Sequence, residues 1–231
     1  MNKYFLLLAV LIFSASNLCA QKTFSLKNAS KNFDVKIEVE KCENGFCEGK
    51  AAFSLFKKDA KSPFQIIRLE NTNIWLDENG QAQANVTLLY DEQSAVNFSD
   101  FNFDGLEDIA VCDGTNGSYG MPSYQVYLYS KQTGKFVKNN ALTKLASENL
   151  GMFEIDKKKR TIETFDKSGC CWHETTRYKF VNNRFVKIYV FTEDASRGDD
   201  KVRLITETLV GKKWKKTTKV MRIKDYYEDE Q

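Results

Sequence analysis

Asp100-Phe101-Asn102-Phe103-Asp104-Gly105-Leu106-Glu107-Asp108, running on into Ile109-Ala110-Val111, decides how this chain is read. Oxygen-bearing side chains stand at positions one, three, five and nine, with glycine at six. A chain wrapping around Ca2+ meets the ion with every second residue, and the ion takes about six to eight oxygens at roughly 2.3–2.6 Å. Asp100, Asn102, Asp104 and Asp108 are therefore the expected side-chain ligands, and Leu106 the expected carbonyl ligand. Gly105 permits the sharp turn. Carboxylates packed this tightly repel one another unless a cation sits between them; an acidic turn without an ion is the alternative. An EF-hand proper carries a bidentate Glu at position twelve, and here that position is Val111, inside an apolar run. The loop opens into a buried strand rather than a helix. It is expected to be an EF-hand-like calcium loop on a β scaffold.

Outward from this loop, strand signals dominate. Residues 34–40 alternate polar and apolar with period two, as a half-buried strand does, and residues 51–56 and 64–69 read similarly. Residues 73–76, the turn Asp77-Glu78-Asn79-Gly80 and residues 84–88 predict a strand, turn, strand unit. Further hairpins are predicted at Thr133-Gly134, at Asn182-Asn183 and at Gly211-Lys212. Each of these turns leads into a basic residue, a large aromatic and a basic-flanked strand: Lys135-Phe136, Arg184-Phe185 and Lys213-Trp214. This weak internal repetition is of the kind propeller blades show. A short helix is expected over residues 140–146, capped by Asn139 or Asn140. No Pro, Gly or Ser linker divides the chain, so one all-β domain is expected over residues 21–231, built from short antiparallel hairpins. Its acidic end, Glu228-Asp229-Glu230-Gln231, is expected to fray.

Residues 1–20 read as a secretory signal peptide. Lys3 precedes an apolar run over residues 5–13, too short for the roughly 20 residues that span a bilayer, and small polar residues lead to a cleavage site after Ala20 or Ser16. Ser16-Asn17-Leu18 before Cys19 is not a lipobox. No later stretch is apolar enough to cross a membrane. A net charge of only +3 and interspersed charges disfavour nucleic acid as a partner. Lys157-Lys158-Lys159-Arg160 and the basic run at residues 212–216 read as solvated hairpin turns. Cys42, Cys47, Cys112, Cys170 and Cys171 follow the leader, and export makes disulfides their default state. Cys42 and Cys47 suit a bridge across a tight turn. Cys112 could pair with Cys170 or Cys171; otherwise the odd thiol is free and buried, or one half of a vicinal bridge. The spacing does not suit zinc.

Directly after the 109–111 run come Gly114, Thr115, Asn116, Gly117, Ser118, Tyr119 and Gly120, a surface excursion by composition. Tyr119 there has the makings of an interface anchor, stiffened by the adjacent ion, or else folds back on its own domain. Gly169-Cys170-Cys171-Trp172-His173-Glu174 is the other unusual cluster. His173 with Glu174, or Cys171 with His173, would be needed for catalysis, but neighbours on a strand point to opposite faces. A structural role, with Trp172 in the core, is the favoured reading. No nucleophile elbow, phosphate loop or dinucleotide fingerprint is present. The chain reads as a non-enzyme, with a monomer favoured.

Taken together, the leader, the 100–108 loop, the Gly/Ser/Tyr loop and the Gly169–Glu174 phrase resemble one family. It is the periplasmic immunity proteins that protect bacteria from peptidoglycan-hydrolase effectors delivered by type IV secretion. That family is similar in turn to the periplasmic inhibitors of invertebrate-type lysozyme. The resemblance implies a compact β-propeller-like domain with one EF-hand-like calcium site. It also implies a lysozyme-like hydrolase as partner, blocked by a tyrosine pushed into its cleft. On this sequence that role falls on Tyr119, with Ser118 and Asn116 beside it. The lysozyme inhibitors carry Ser-Gly-x-x-Tyr, whereas this chain reads Gly117-Ser118-Tyr119-Gly120, which leaves Tyr124 as the other choice.

Overall fold

The strand Asp108–Gly114, continuing from the 100–108 loop, lies at the centre of the fold, and its alternation explains the architecture. The computed structural model describes residues 21–87, 93–182 and 184–227. The leader, Leu88, Asn183 and the acidic end lie outside the described residues.

All named strands pair antiparallel, in three sheets. In the first, β1 (Lys22–Leu26), β2 (Phe33–Glu43), β3 (Phe46–Lys57) and β4 (Gln65–Leu69) lie in sequence order, and β5 (Asn73–Trp75) pairs with the start of β3. The second is the meander β6 (Val96–Ser99), β7 (Asp108–Gly114), β8 (Ser123–Ser130) and β9 (Lys135–Lys138). The third is a six-stranded meander: β10 (Glu154–Asp156), β11 (Thr161–Ser168), β12 (Trp172–Val181), β13 (Arg184–Asp194), β14 (Lys201–Val210) and β15 (Lys213–Arg222). Helix α1 (Asn140–Leu145) links the second sheet to the third, and α2 (Ile223–Tyr227) follows β15.

Strand β7 is buried on both faces. Ile109 and Val111 join a core with β2 and β3 residues such as Ile37, Phe53 and Leu55. Ala110 and Cys112 face a second core of Tyr124, Val126, Leu142, Phe153 and Ile162. Successive side chains on a strand point oppositely, so an unbroken apolar run is what a layer covered twice requires. Polar pins fix the layers. The Gln65 amide pairs with both backbone groups of Phe136, at 2.8 Å each. Thr72 Oγ1 donates to the Cys112 carbonyl at 2.6 Å.

The predicted hairpins at 133–134 and 211–212 form, β12 pairs with β13 as the third one requires although its Asn183 lies outside the described residues, and α1 is capped as expected, with the Asn139 side chain accepting from Leu142 N. The unit at 73–88 forms only in part. Gly80 N closes the turn on Asp77 O at 2.8 Å, but residues 82–87 make isolated bridges instead of a strand. The three basic-aromatic phrases fall in two different sheets, so their likeness reflects hairpin chemistry. What the strands show is three antiparallel meanders, without a propeller closure among the described residues.

Candidate functional site: two loops at opposite ends of one strand

The 100–108 loop folds around its own oxygens. Asp100 accepts from Asp104 N (2.9 Å) and Gly105 N (2.8 Å), and Asn102 Oδ1 accepts from Asp104 N at 3.1 Å. Asp104 accepts from Leu106 N at 2.8 Å and from the Asn102 amide at 2.9 Å. Phe101 and Phe103, between the polar positions, are buried in the second core, which explains their alternation with the acids. Glu107 accepts from Ser30 Oγ and, at 3.1 Å, from the Asn32 amide, tying the loop to the first sheet. Asp108 is fully buried and accepts from Phe101 N and Tyr129 N, both at 2.9 Å. Burial pushes its carboxyl up to about 7; those two N–H groups oppose the rise, and the charges of Asp104 and Asp100 add to it.

This donor set is oxygen-only, as a hard divalent cation prefers. Among the described residues no group of three or more His, Cys, Asp or Glu side chains is gathered as a metal cluster. Each Asp108 oxygen already accepts from one backbone N–H group. Asp100, Asn102, Asp104 and the Leu106 carbonyl stay at the loop itself. Asp108 nonetheless lies close enough to feel both neighbouring charges, so the residues present fit a cation in kind.

Residues 114–121 leave the other end of β7. A bulge at Asp113 breaks the β7–β8 register between Cys112 and Gly114, and Asp113 accepts from Ser123 Oγ at 2.7 Å. The Asn116 backbone N and amide both reach the same hydroxyl, at 3.2 and 3.1 Å. Gly117 N bonds Met121 O and Ser118 N bonds Asn149 O, both at 3.0 Å. Tyr119 follows in the left-handed region at φ 58°, uncommon for a residue with a side chain, and is 61% exposed. Its hydroxyl accepts from Gly169 N, and Lys167 Nζ lies 4.9 Å from its ring centre. Tyr119 is thus exposed and braced together.

That brace joins the two clusters that stand out in the sequence. Gly169 belongs to the turn closed by a vicinal Cys170–Cys171 disulfide, whose Cys171 carbonyl accepts from Ala195 N at 2.8 Å. Cys42 and Cys47 form the other bridge. Pairing of Cys112 with either Cys170 or Cys171 is excluded. Cys112 is free and buried in the second core, its Sγ donating to Asn73 O at 2.9 Å.

Three further expectations are corrected. Tyr124 is no contact residue; it is fully buried and its hydroxyl donates to Ser94 O at 2.8 Å. Trp172 is only half-buried and belongs to neither core. An ion in the 100–108 loop does not stiffen the Tyr119 loop from next door, because the two are separated by the length of β7 (Asp108–Gly114), about 20 Å at strand rise. His173 and Glu174 turn to opposite faces. His173 stacks with Phe165 (ring centres 5.8 Å apart) and sits 4.0 Å from Glu193, whereas Glu174 accepts from Thr176 and Thr192.

With this geometry in hand, one solved structure is similar in fold: a Xanthomonas type IV secretion system related protein. The likeness covers 88% of this chain and 97% of that one, with a TM-score of 0.66 and 23% identity. No protein-family model and no curated protein matches the sequence. At that identity the likeness shows a shared fold across nearly the whole neighbour.

Sequence reasoning missed Gly169, Lys167 and Asn149 as the supports of Tyr119. Gly169 stands in a cluster the sequence singles out, but no local signal ties it, Lys167 or Asn149 to Tyr119, since each acts through a contact between distant segments.

Proposed function

We propose that this chain is an exported, periplasmic immunity protein that blocks a peptidoglycan hydrolase of lysozyme type by inserting Tyr119 into its cleft. The observation carrying this reading is the state of Tyr119: exposed, in a left-handed backbone conformation, and bonded through its hydroxyl oxygen to Gly169 N. Accepting that bond leaves the phenol's own proton to donate outward, to a catalytic carboxylate of the hydrolase. A braced aromatic also loses little conformational entropy on docking. Ser118, half-buried, and Asn116, exposed, flank it and would contribute polar contacts at the rim. Similarity in fold to a type IV secretion system related protein supports this reading.

Asp100, Asn102, Asp104, Asp108 and the Leu106 carbonyl would hold Ca2+ in the same molecule. Bound there, the ion neutralises a group of mutually repelling carboxylates. Its role is structural, because Tyr119 is braced by residues of its own neighbourhood.

Turbidity clearance of purified peptidoglycan by a panel of lysozyme-type and effector-type hydrolases tests the reading. Near-equimolar suppression of one enzyme is expected, and Tyr119→Ala should weaken it by about 2–4 kcal/mol, the range of interface anchors. Equal inhibition by Tyr119→Ala would remove that residue from the mechanism. A protein that binds glycan or an envelope partner without inhibiting any hydrolase is the competing outcome.

A further inference from the structure

The β10–β11, β12–β13 and β14–β15 connections all lie at one end of the third sheet, opposite the end that carries Gly169. We propose that this end docks on an anionic phospholipid surface. The central observation is how its exposed valines are paired. Val181, Val186 and Val210 are 43%, 38% and 50% exposed, and the direct cross-strand partner of each is a cation: Arg184, Lys179 and Lys213 respectively. Arg177 alternates with Lys179 and Val181 along β12, and its register through Tyr189 to Thr208 puts all three pairs on the same face. No ion pair holds these three cations among the described residues, and Lys187, Lys212 and Lys215 are exposed around them. Acids do little to offset this charge. None occurs over residues 175–192 or 208–224. Asp156, Glu163 and Glu207, which lie nearby, are bound to Lys159, Arg177 and Lys216. Glu154 stands apart on the edge strand β10, and Asp100 and Asp104 share a cleft with Lys157 and Lys158, so those two lysines do not enter the argument.

Valines set between unpaired cations suit a surface that is anionic at its phosphates and apolar just beneath. Long Lys and Arg side chains reach the headgroups while the valines meet the acyl boundary. Trp214, 46% exposed beside the 211–212 turn, is of the residue type enriched at such interfaces. A nucleic acid or a sulfated glycan would use the cations but give the valines nothing to bury against. Each Lys or Arg near an anionic leaflet strengthens binding about fivefold, so the cations supply the attachment and the valines seat it. β12 (Trp172–Val181) runs the length of this sheet, about 30 Å at strand rise. The Gly169 turn that braces Tyr119 therefore stands off the lipid, free to meet a partner.

The test is co-sedimentation of the mature protein with vesicles of phosphatidylglycerol and phosphatidylethanolamine and, separately, with vesicles of phosphatidylcholine alone. Binding to the anionic vesicles is expected at about 0.1 M NaCl, with a loss of about tenfold at 0.5 M as screening tightens. None is expected on phosphatidylcholine. Lys213→Glu with Lys215→Glu should weaken binding by more than about tenfold. Should that variant fail to fold, Lys213→Gln with Lys215→Gln keeps the side-chain length and removes the attraction. Val181→Ser with Val210→Ser should weaken binding several-fold. Lys61→Glu with Lys131→Glu, exposed charges between β3 and β4 and between β8 and β9, should weaken it by less than about threefold. Equal binding to phosphatidylcholine, indifference to salt, or undiminished binding by a folded Lys213/Lys215 or Val181/Val210 variant would overturn the proposal. So would an equal loss in the Lys61/Lys131 variant (net charge only), or retention on dextran sulfate without vesicle binding (a soluble polyanion as ligand). The proposal is independent of the inhibitor reading, and Tyr119→Ala should bind the vesicles as wild type does.

Discussion

Gly117 shows how one residue controls the Tyr119 loop. A Cβ there would stand 2.8 Å from Met121 O and 2.9 Å from Asn149 O, both backbone atoms held by neighbouring structure. Gly117→Ala must therefore push apart the turn that presents Tyr119, and a cost of roughly 1–3 kcal/mol is expected from overpacking of this kind. Denaturant unfolding would read that cost; inhibition should fall further than stability alone explains, because the aromatic loses its brace. Cys112 makes a second prediction, about pH. Burial pushes its thiol up to about 11, whereas an unfolded-chain thiol titrates near 8.5. Below about pH 8.5 both states keep the proton and stability is flat. Above it the unfolded chain releases the proton first, so stability falls towards pH 11, by about 3 kcal/mol at most. Urea midpoints at pH 8 and 10 should separate by less in Cys112→Ala than in wild type. Native Cys112 should also resist alkylation until the chain is unfolded.

The strands teach a different lesson, about neighbours. β7 was legible because an unbroken Ile109-Ala110-Val111 run after a polar loop suits a strand covered on both faces, and the structure gives each of its faces a core. Asp113 and Ser123, which shape the next loop, were illegible because their partnership needs the β7–β8 register. The outer strands were legible only as hairpins. β15 is exposed along nearly its whole length, and Lys213, Lys215 and Lys219 on one face carry the charges that keep an edge strand from pairing with another chain. Apolar truncation should cost accordingly. Ile109→Ala should lose about 2–5 kcal/mol, whereas Val220→Ala, 53% exposed, should stay within about 0.5 kcal/mol. Comparable losses at both sites would mean that the face of β15 carrying Val220 is covered in solution.

At the scale of the whole molecule, β7 separates a loop suited to hold charge from a loop suited to hold a partner, and the two roles can be tested apart. If the 100–108 loop takes Ca2+, binding to the folded state alone adds about 2.7 kcal/mol at a hundredfold excess over Kd. In a chain of this size that corresponds to a rise in melting temperature of roughly 5–10 °C. A chelator should abolish the rise, and Asp104→Ala should remove the difference between chelated and calcium-loaded samples, since Asp104 lies at the loop itself. Absence of any chelator effect in the wild type would take the metal out of this account. Inhibition of a responsive hydrolase, measured well below the melting transition, should survive the chelator, because Tyr119 is held by Gly169, Lys167 and the turn anchored on Asn149. Loss of inhibition without loss of fold would instead require that β7 transmit the state of one loop to the other, through a strand whose side chains are locked on both faces.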